Sequence, residues 1–329
     1  MIRRPILIGA LALLAAAAGV ASLAFGSAPL PFAQVIGALA GAHDPVARTI
    51  VLDLRLPRAL LALLIGAMLG ASGAALQGYL RNPLAEPAVL GASNMAALGA
   101  VIILYFGFST LSPLLLPLAA IAGAVIAIAP LLLLAGRAES PLTLILAGVA
   151  ISTLAGAGIS LALNLAPNPF AAFEIMTWLM GSIEDRSTLH VWIALPCVAI
   201  GLGLLFWDAR ALDALSLGED GAQTLGIDLR RVRLRMLIAV AVGVGGTVAV
   251  AGAIGFVGLI VPHLVRPLTD RTPGATLLPS ALGGAALLSL ADIAVRIIPA
   301  TNELRLGVVT ALLGVPVFLA WLFRERRLW

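Results

Sequence analysis

Residues 66–91 read GAMLGASGAALQGYLRNPLAEPAVLG. The first half is an apolar run of small side chains, among them Gly66, Gly70, Ala71, Ser72, Gly73 and Ala74. Gly66 and Gly70 stand about one helical turn apart, so one face of the helix is almost bare. A bare face lets another helix approach backbone to backbone, and inside lipid such contact is a main source of attraction. The second half breaks. Pro83 and Pro87 lack an N–H and push Asn82 and Glu86 away from the αR region. A polar, proline-broken backbone at a membrane boundary has to be buried in protein or face water. Two readings stand: a tightly packed helix closed by a turn, or an element of a transport path.

The surrounding chain has the same character. Of its 329 residues 61% are hydrophobic and 11% charged, and its mean hydropathy is +1.10. That excludes a soluble globular domain and predicts one all-α polytopic membrane domain over 1–329. Apolar runs of about 20 residues leave room for about ten spans. They fall near 5–25, 56–80, 88–107, 112–135, 141–165, 188–208, 232–252, 254–268, 276–295 and 305–323. With the N-terminus inside, the loops assigned inside carry 14 of the 20 arginines, including Arg3, Arg4, Arg81, Arg137, Arg324, Arg326 and Arg327. This bias predicts cytoplasmic termini. Trp192, Trp207 and Trp321 fall at span ends, where interfacial tryptophans sit.

There is no lysine. A phosphate-binding G-x-x-x-x-G-K-[ST] loop therefore cannot exist here, and any ATP and Mg used in transport belong to another polypeptide. His43, His190 and His263 are scattered and lack ligand-spaced neighbours, so no metal site is expected. Cys197 sits in an apolar run and reads as packing. The basic balance comes from arginines between spans, which points to membrane topology and not to nucleic acid.

Three polar stretches interrupt the spans. Val35, Ile36 and Leu39 predict a short surface helix on the outer side. Residues 164–186, NLAPNPFAAFEIMTWLMGSIEDR, predict a short outer helix from about Phe170 to Met180. It is either an interfacial anchor through Trp178 or a gate or docking element. Residues 209–235 form the longest inner loop, and leucines punctuated by Gly218, Gly221 and Gly226 predict two short helices. An internal repeat is also visible. Gly73-Ala74 precedes Pro83 by the offset at which Gly252-Ala253 precedes Pro262. The copies begin on spans two and seven, an odd number apart, so they face opposite ways, as in inverted-repeat transporters.

Taken together, several segments resemble the permease subunit of ABC importers for iron-siderophore, haem and cobalamin chelates. They are Arg55-Leu56-Pro57-Arg58, the block 70–91, Trp178-Leu179-Met180-Gly181-Ser182, Leu217-Gly218-Glu219 with Ala222 and Leu225-Gly226, Gly252 to His263, Leu290-Ala291-Asp292, and Gly307 to Phe318. The resemblance implies ten helices per subunit, a homodimer, two cytoplasmic ATPase subunits and a periplasmic binding protein. It implies binding-protein docking at Arg55, Arg58 and Arg296, through paired guanidinium donors. It implies coupling to the ATPase across 209–229 by Leu217, Gly218, Glu219, Ala222, Leu225 and Gly226. Path and gate are expected at Gln77, Asn82, Pro83 and, within the outer segment 166–182, at Trp178, Met180, Gly181 and Ser182. Gly66, Gly70, Gly73, Gly252, Gly255, Pro262 and Asp292 read as structural, Asp292 by pairing with Arg296 one turn on. Two residues depart from the pattern: Met95 where the family has glycine, and Arg305 where it has proline. An iron chelate is the expected cargo, with cobalamin as the alternative. Two other classes carry requirements of their own. An intramembrane serine protease needs Ser72 within reach of His263, and an ion-driven transporter needs an unpaired Asp292.

Overall fold

The computed structural model describes residues 4–26, 28–41, 44–135, 141–298 and 303–325. Arg3, His43, Arg137, Arg326 and Arg327 lie outside the described residues, as do the side chains of Trp321 and Arg324. The first helix, α1, is Arg4–Ala24. Two short helices follow, α2 (Phe32–Leu39) and α3 (Pro45–Arg48), the latter capped by Asp44. A π-helical stretch, Thr49–Arg55, leads from α3 into α4 (Leu56–Tyr79). After a break come α5 (Ala92–Tyr105), α6 (Leu115–Ile126), α7 (Ile128–Ala135) and α8 (Pro141–Asn164). Then follow α9 (Pro169–Leu179), α10 (Thr188–Trp207), α11 (Ala209–Leu215) and α12 (Glu219–Thr224). The last four are α13 (Leu229–Ala251), α14 (Val257–Val265), α15 (Pro273–Ile297) and α16 (Leu306–Glu325).

Among the described residues, seven helices are long and apolar enough to cross a membrane, and three shorter apolar helices, 92–105, 257–268 and 306–320, complete the expected set. The short ones explain where the sequence reading overshot. Spans were expected from 88 and from 254; those first residues belong instead to the breaks before α5 and α14. Helices α4 and α13 are the most enclosed, whereas α1, α8 and α10 turn most of their surface outward. Their bare leucines, isoleucines and tryptophans, such as Leu13, Leu154 and Trp192, suit contact with lipid chains.

Small residues draw the centre together. A methyl group on Gly66 would overlap the Gly284 carbonyl of α15, one on Gly70 the Ser280 carbonyl, and one on Gly73 the Gly258 carbonyl of α14. The face that looked bare in sequence is therefore a seam of backbone on backbone. Met68, on another face of α4, fills the space between Gly201 of α10 and Gly243 of α13.

The two halves interlock. Helix α4 packs chiefly on α15 and also on α14, while α13 packs on α6 and α5. Each half thus lays its first helix across the second and third helices of the other, as an inverted repeat requires. The residue match proposed from sequence does not survive in register. Gly73 is mid-helix, but Gly252 ends α13 with φ +70; Pro83 lies in a turn, but Pro262 lies inside α14. The repeat lives in the packing and not in that motif.

Candidate functional site

The described functional side chains gather at the two ends of this seam. At one end stand the three arginines expected to receive a partner. Arg55 is buried, and its guanidinium donates to the carbonyls of Leu23, Ala24 and Ala28. Arg296 is buried as well and donates to the carbonyls of Ser22 and Phe25 and to the Ser22 hydroxyl. These carbonyls belong to the last turn of α1 and the residues after it, and α1 has no basic residue of its own there. The last carbonyls of a helix lack intrahelical partners and carry its negative dipole end. Arg55 and Arg296 therefore cap α1, a structural use beside the docking role expected of them. Arg58 binds the Asp292 carboxylate at 2.8 Å and both oxygens of Glu303, at 2.5 and 3.0 Å. The Asp292–Arg296 pair expected from spacing forms at 2.8 Å.

The 166–182 segment forms the short helix expected, and its end is held by backbone contacts. Gly181 turns the chain with φ +71. Its carbonyl accepts the Gly307 N–H at 3.2 Å, while the Ser182 N–H donates to Ala251 at 2.7 Å. Side chains at Gly252 or Gly307 would strike the carbonyls of Trp178 and Met180. The segment separates two cavities. Trp178 and Ser182 face a polar one of about 520 Å³ that also holds Glu174, Glu184, Arg186 and His190. Leu179 and Met180 face an apolar groove of about 570 Å³ with Ala253, Gly307 and Val308. Trp178 packs inward on the core and so is not a lipid-facing anchor. Burial pushes the Glu184 carboxyl up, and Glu303 adds to this while Arg305 opposes it.

The opposite end carries α11 and α12. Asp208 holds Arg235 through paired hydrogen bonds, and Asp213 accepts the Gly274 N–H at 2.6 Å. Gly226, with φ +82, closes α12: its N–H reaches Gln223 and the Ile227 N–H reaches Ala222, a Schellman turn. Ala222 is fully buried beneath this knuckle. Leu217 and Leu225 are 70% and 62% exposed, so a pair of leucines is presented outward on the most polar loop of the chain. Gly218 makes the turn between the helices, and Glu219 meets Arg81 at 3.5 Å.

Of the expected path residues in the first half, Asn82 caps a turn through the Leu84 N–H, and Pro83 lies beside it in the same turn. Gln77 is buried, donating toward the Gly258 and Leu259 carbonyls and accepting from Arg266 at 2.7 Å. It is a clasp on α14, not a wall of an open path. Glu86 accepts the Phe256 N–H at the other end of the same helix. Gly255 has open space around it, so no contact accounts for its expected structural role. The neighbour Phe256, in the left-handed region with φ +67, was missed; a lone φ > 0 at an aromatic leaves no mark in sequence. Met95 packs its side chain on the core, and the close approach at its backbone is made by Gly123 of α6. Ser72 is buried without a hydrogen bond, while the His263 ring engages the Leu259 carbonyl at 2.7 Å. No serine–histidine couple forms there.

The comparisons with known proteins agree with this arrangement. The model of the FecCD transport family matches residues 13–324. The chain belongs to the FecCD transport family. Its relatives include the ABC transporter permease protein YvrB of Bacillus subtilis, 40% identical over 89% of this chain and 84% of that one. They also include the vitamin B12 import system permease BtuC of Vibrio cholerae, 42% identical over 86% of each chain. An inward-facing metal-chelate type ABC transporter superposes with a TM-score of 0.85 at 30% identity, over 97% of this chain and 99% of that one. A FecCD protein is the membrane permease of an ABC importer, with ATP hydrolysis on a separate subunit. The seam is its spanning part.

Proposed function

We propose that two copies of this chain form the passage of an importer for a metal chelate, a cobalt corrinoid or a ferric siderophore or haem. Two ATPase subunits would seat on the α11–α12 end, in the cytoplasm with both termini, and a periplasmic binding protein would deliver cargo at the gate end of an inner membrane. The exposed Leu217–Leu225 knuckle carries the reading. Two leucines on a rigid, Schellman-closed pair of helices, beneath which Ala222 is buried, are an anchor for a partner and not a solvated linker. The absence of lysine supports ATP and Mg on that partner. The names of the relatives support the cargo class.

For docking at the outer end, Arg58 is carried forward, together with Arg186. Arg55, Arg58, Arg186 and Arg296 all line one pocket of about 190 Å³, but the guanidiniums of Arg55 and Arg296 are engaged by the carbonyls of α1. The test is uptake into vesicles of labelled cyanocobalamin and of a ferric siderophore. Uptake of either should need the ATPase, the binding protein and internal ATP. Accumulation by this chain alone would overturn the reading; accumulation abolished by uncouplers while ATP remains would favour ion coupling.

A further inference from the structure

The charged groups at the gate end alternate in sign along two runs of ion pairs joined by the backbone from Glu303 to Arg305. Arg296 pairs with Asp292, Asp292 with Arg58, and Arg58 with Glu303; two residues on, Arg305 pairs with Glu184 at 2.8 Å. The series begins on α15, crosses α4, reaches the start of α16 and ends two residues beyond Ser182. The stretch Glu303-Leu304-Arg305 is thereby tied to the scaffold by one side chain and to the gate segment by the other.

The two runs differ in exposure. Arg58 and Asp292 are 12% and 0% exposed, while Arg305 and Glu184 are 32% and 31% exposed. A buried pair is strongly held, because separating it strands a charge away from water. A part-exposed pair is weak, because water and other ions replace either partner readily. The first run is therefore rigid, and the second is exchangeable where it meets the gate.

We propose that the Glu184–Arg305 pair is a latch that sets the resting position of the gate segment, and that a carboxylate on a docking partner opens it by taking Arg305 from Glu184. This rests on the reading of 178–182 as the outer gate. Backbone bonds from Gly307 to Gly181 and from Ser182 to Ala251 act as the hinge, and the ion pair beside them is the part that competing charge can reach. Arg305 stands at a position where the family resemblance predicts proline, which has no such charge.

The test uses the full chain with Cys197→Ser, which removes its single cysteine, and Met180→Cys as reporter in vesicles. Glu184→Gln and Arg305→Gln should each raise the rate of thiol labelling at position 180 by about two- to fivefold, the range a part-exposed pair supplies. The swapped pair, Glu184→Arg with Arg305→Glu, should return the rate to that of the parent. High salt should raise the parent rate and leave Arg305→Gln unchanged. Parent rates in both single variants, or a swap that fails to restore, would overturn the latch. Complete labelling at position 180 that leaves uptake by the reconstituted transporter intact would overturn the gate itself, and the latch with it.

Discussion

The two helix breaks meet the same demand with different means. The first, residues 80–91, is long and polar: an Asn82 turn, then a 3₁₀ turn from Pro87, with Arg81 reaching Glu219 of α12. The second, residues 252–256, is short and carries no polar side chain; it is held by backbone contact with Trp178, Gly181 and Gly307. The first break is joined to the knuckle, the second to the segment 178–182 proposed as the gate. The two breaks touch, since Glu86 in the first accepts the Phe256 N–H of the second, and Gln77 holds α14 beside them. An interlocked inverted repeat thus serves each end with a break of its own.

The sharpest way to break this comparison is to overfill it. Gly73→Leu, aimed at the Gly258 carbonyl, should lose folded protein altogether, because overpacking against backbone cannot relax. Gly255→Leu, in open space in the other break, should fold normally. Thermal unfolding in detergent distinguishes them; equal damage would remove the distinction between the breaks. Next in size, Asp292→Ala should destabilise by removing the carboxylate that Arg58 and Arg296 share. The loss should be less than the about 3–5 kcal/mol of a stranded buried charge, because Arg58 keeps Glu303 and Arg296 keeps the α1 carbonyls. Arg55→Glu should likewise destabilise the chain, through the uncapped end of α1, where a pure docking residue would change only partner affinity.

At the other end, Leu217→Asp with Leu225→Asp should leave stability within about 0.5 kcal/mol. ATP-driven uptake should fall by about tenfold or more, as for a lost interface anchor. A stable variant with full uptake would remove the knuckle from the account. The smallest effect is in pH. Burial holds the Glu184 carboxyl above the ordinary glutamate range. As pH falls, Glu184 takes its proton before a solvated glutamate does, and its pair with Arg305 is lost. For stability the sign is opposite: a raised pKa favours the folded form below the unfolded pKa, and that contribution disappears as pH rises through the folded one. The groups acting on Glu184 are Glu303, Arg305, Asp185 and Arg58. Thiol labelling of the Met180→Cys reporter, divided by that of the unfolded chain at the same pH to remove the fall in thiolate, should rise with acidification, and Glu184→Gln should abolish the step.

Much of the fold was legible because lipid makes strong demands. Span number follows from apolar run length, and the seam follows from Gly66, Gly70 and Gly73 on one face. Helices α9, α11 and α12 were readable because proline and glycine punctuate them. The arginines were not readable. An arginine beside a span end has the same sequence whether it points to water or folds back onto the carbonyls of α1, and only tertiary proximity decides. Nor was the register of the repeat, since packing symmetry does not oblige two glycine–proline spacings to coincide. The Arg305–Glu184 pair joins residues too far apart in the chain for any local pattern to link them.

One measurement addresses the opposed breaks directly. Leu84→Cys and Gly255→Cys, each alone in the Cys197→Ser chain, are exposed to a membrane-impermeant thiol reagent on one side of sealed vesicles. Position 84 should react only from the side that presents Leu217 and Leu225, and position 255 only from the side that presents the gate. Reaction of both from the same side would contradict the account.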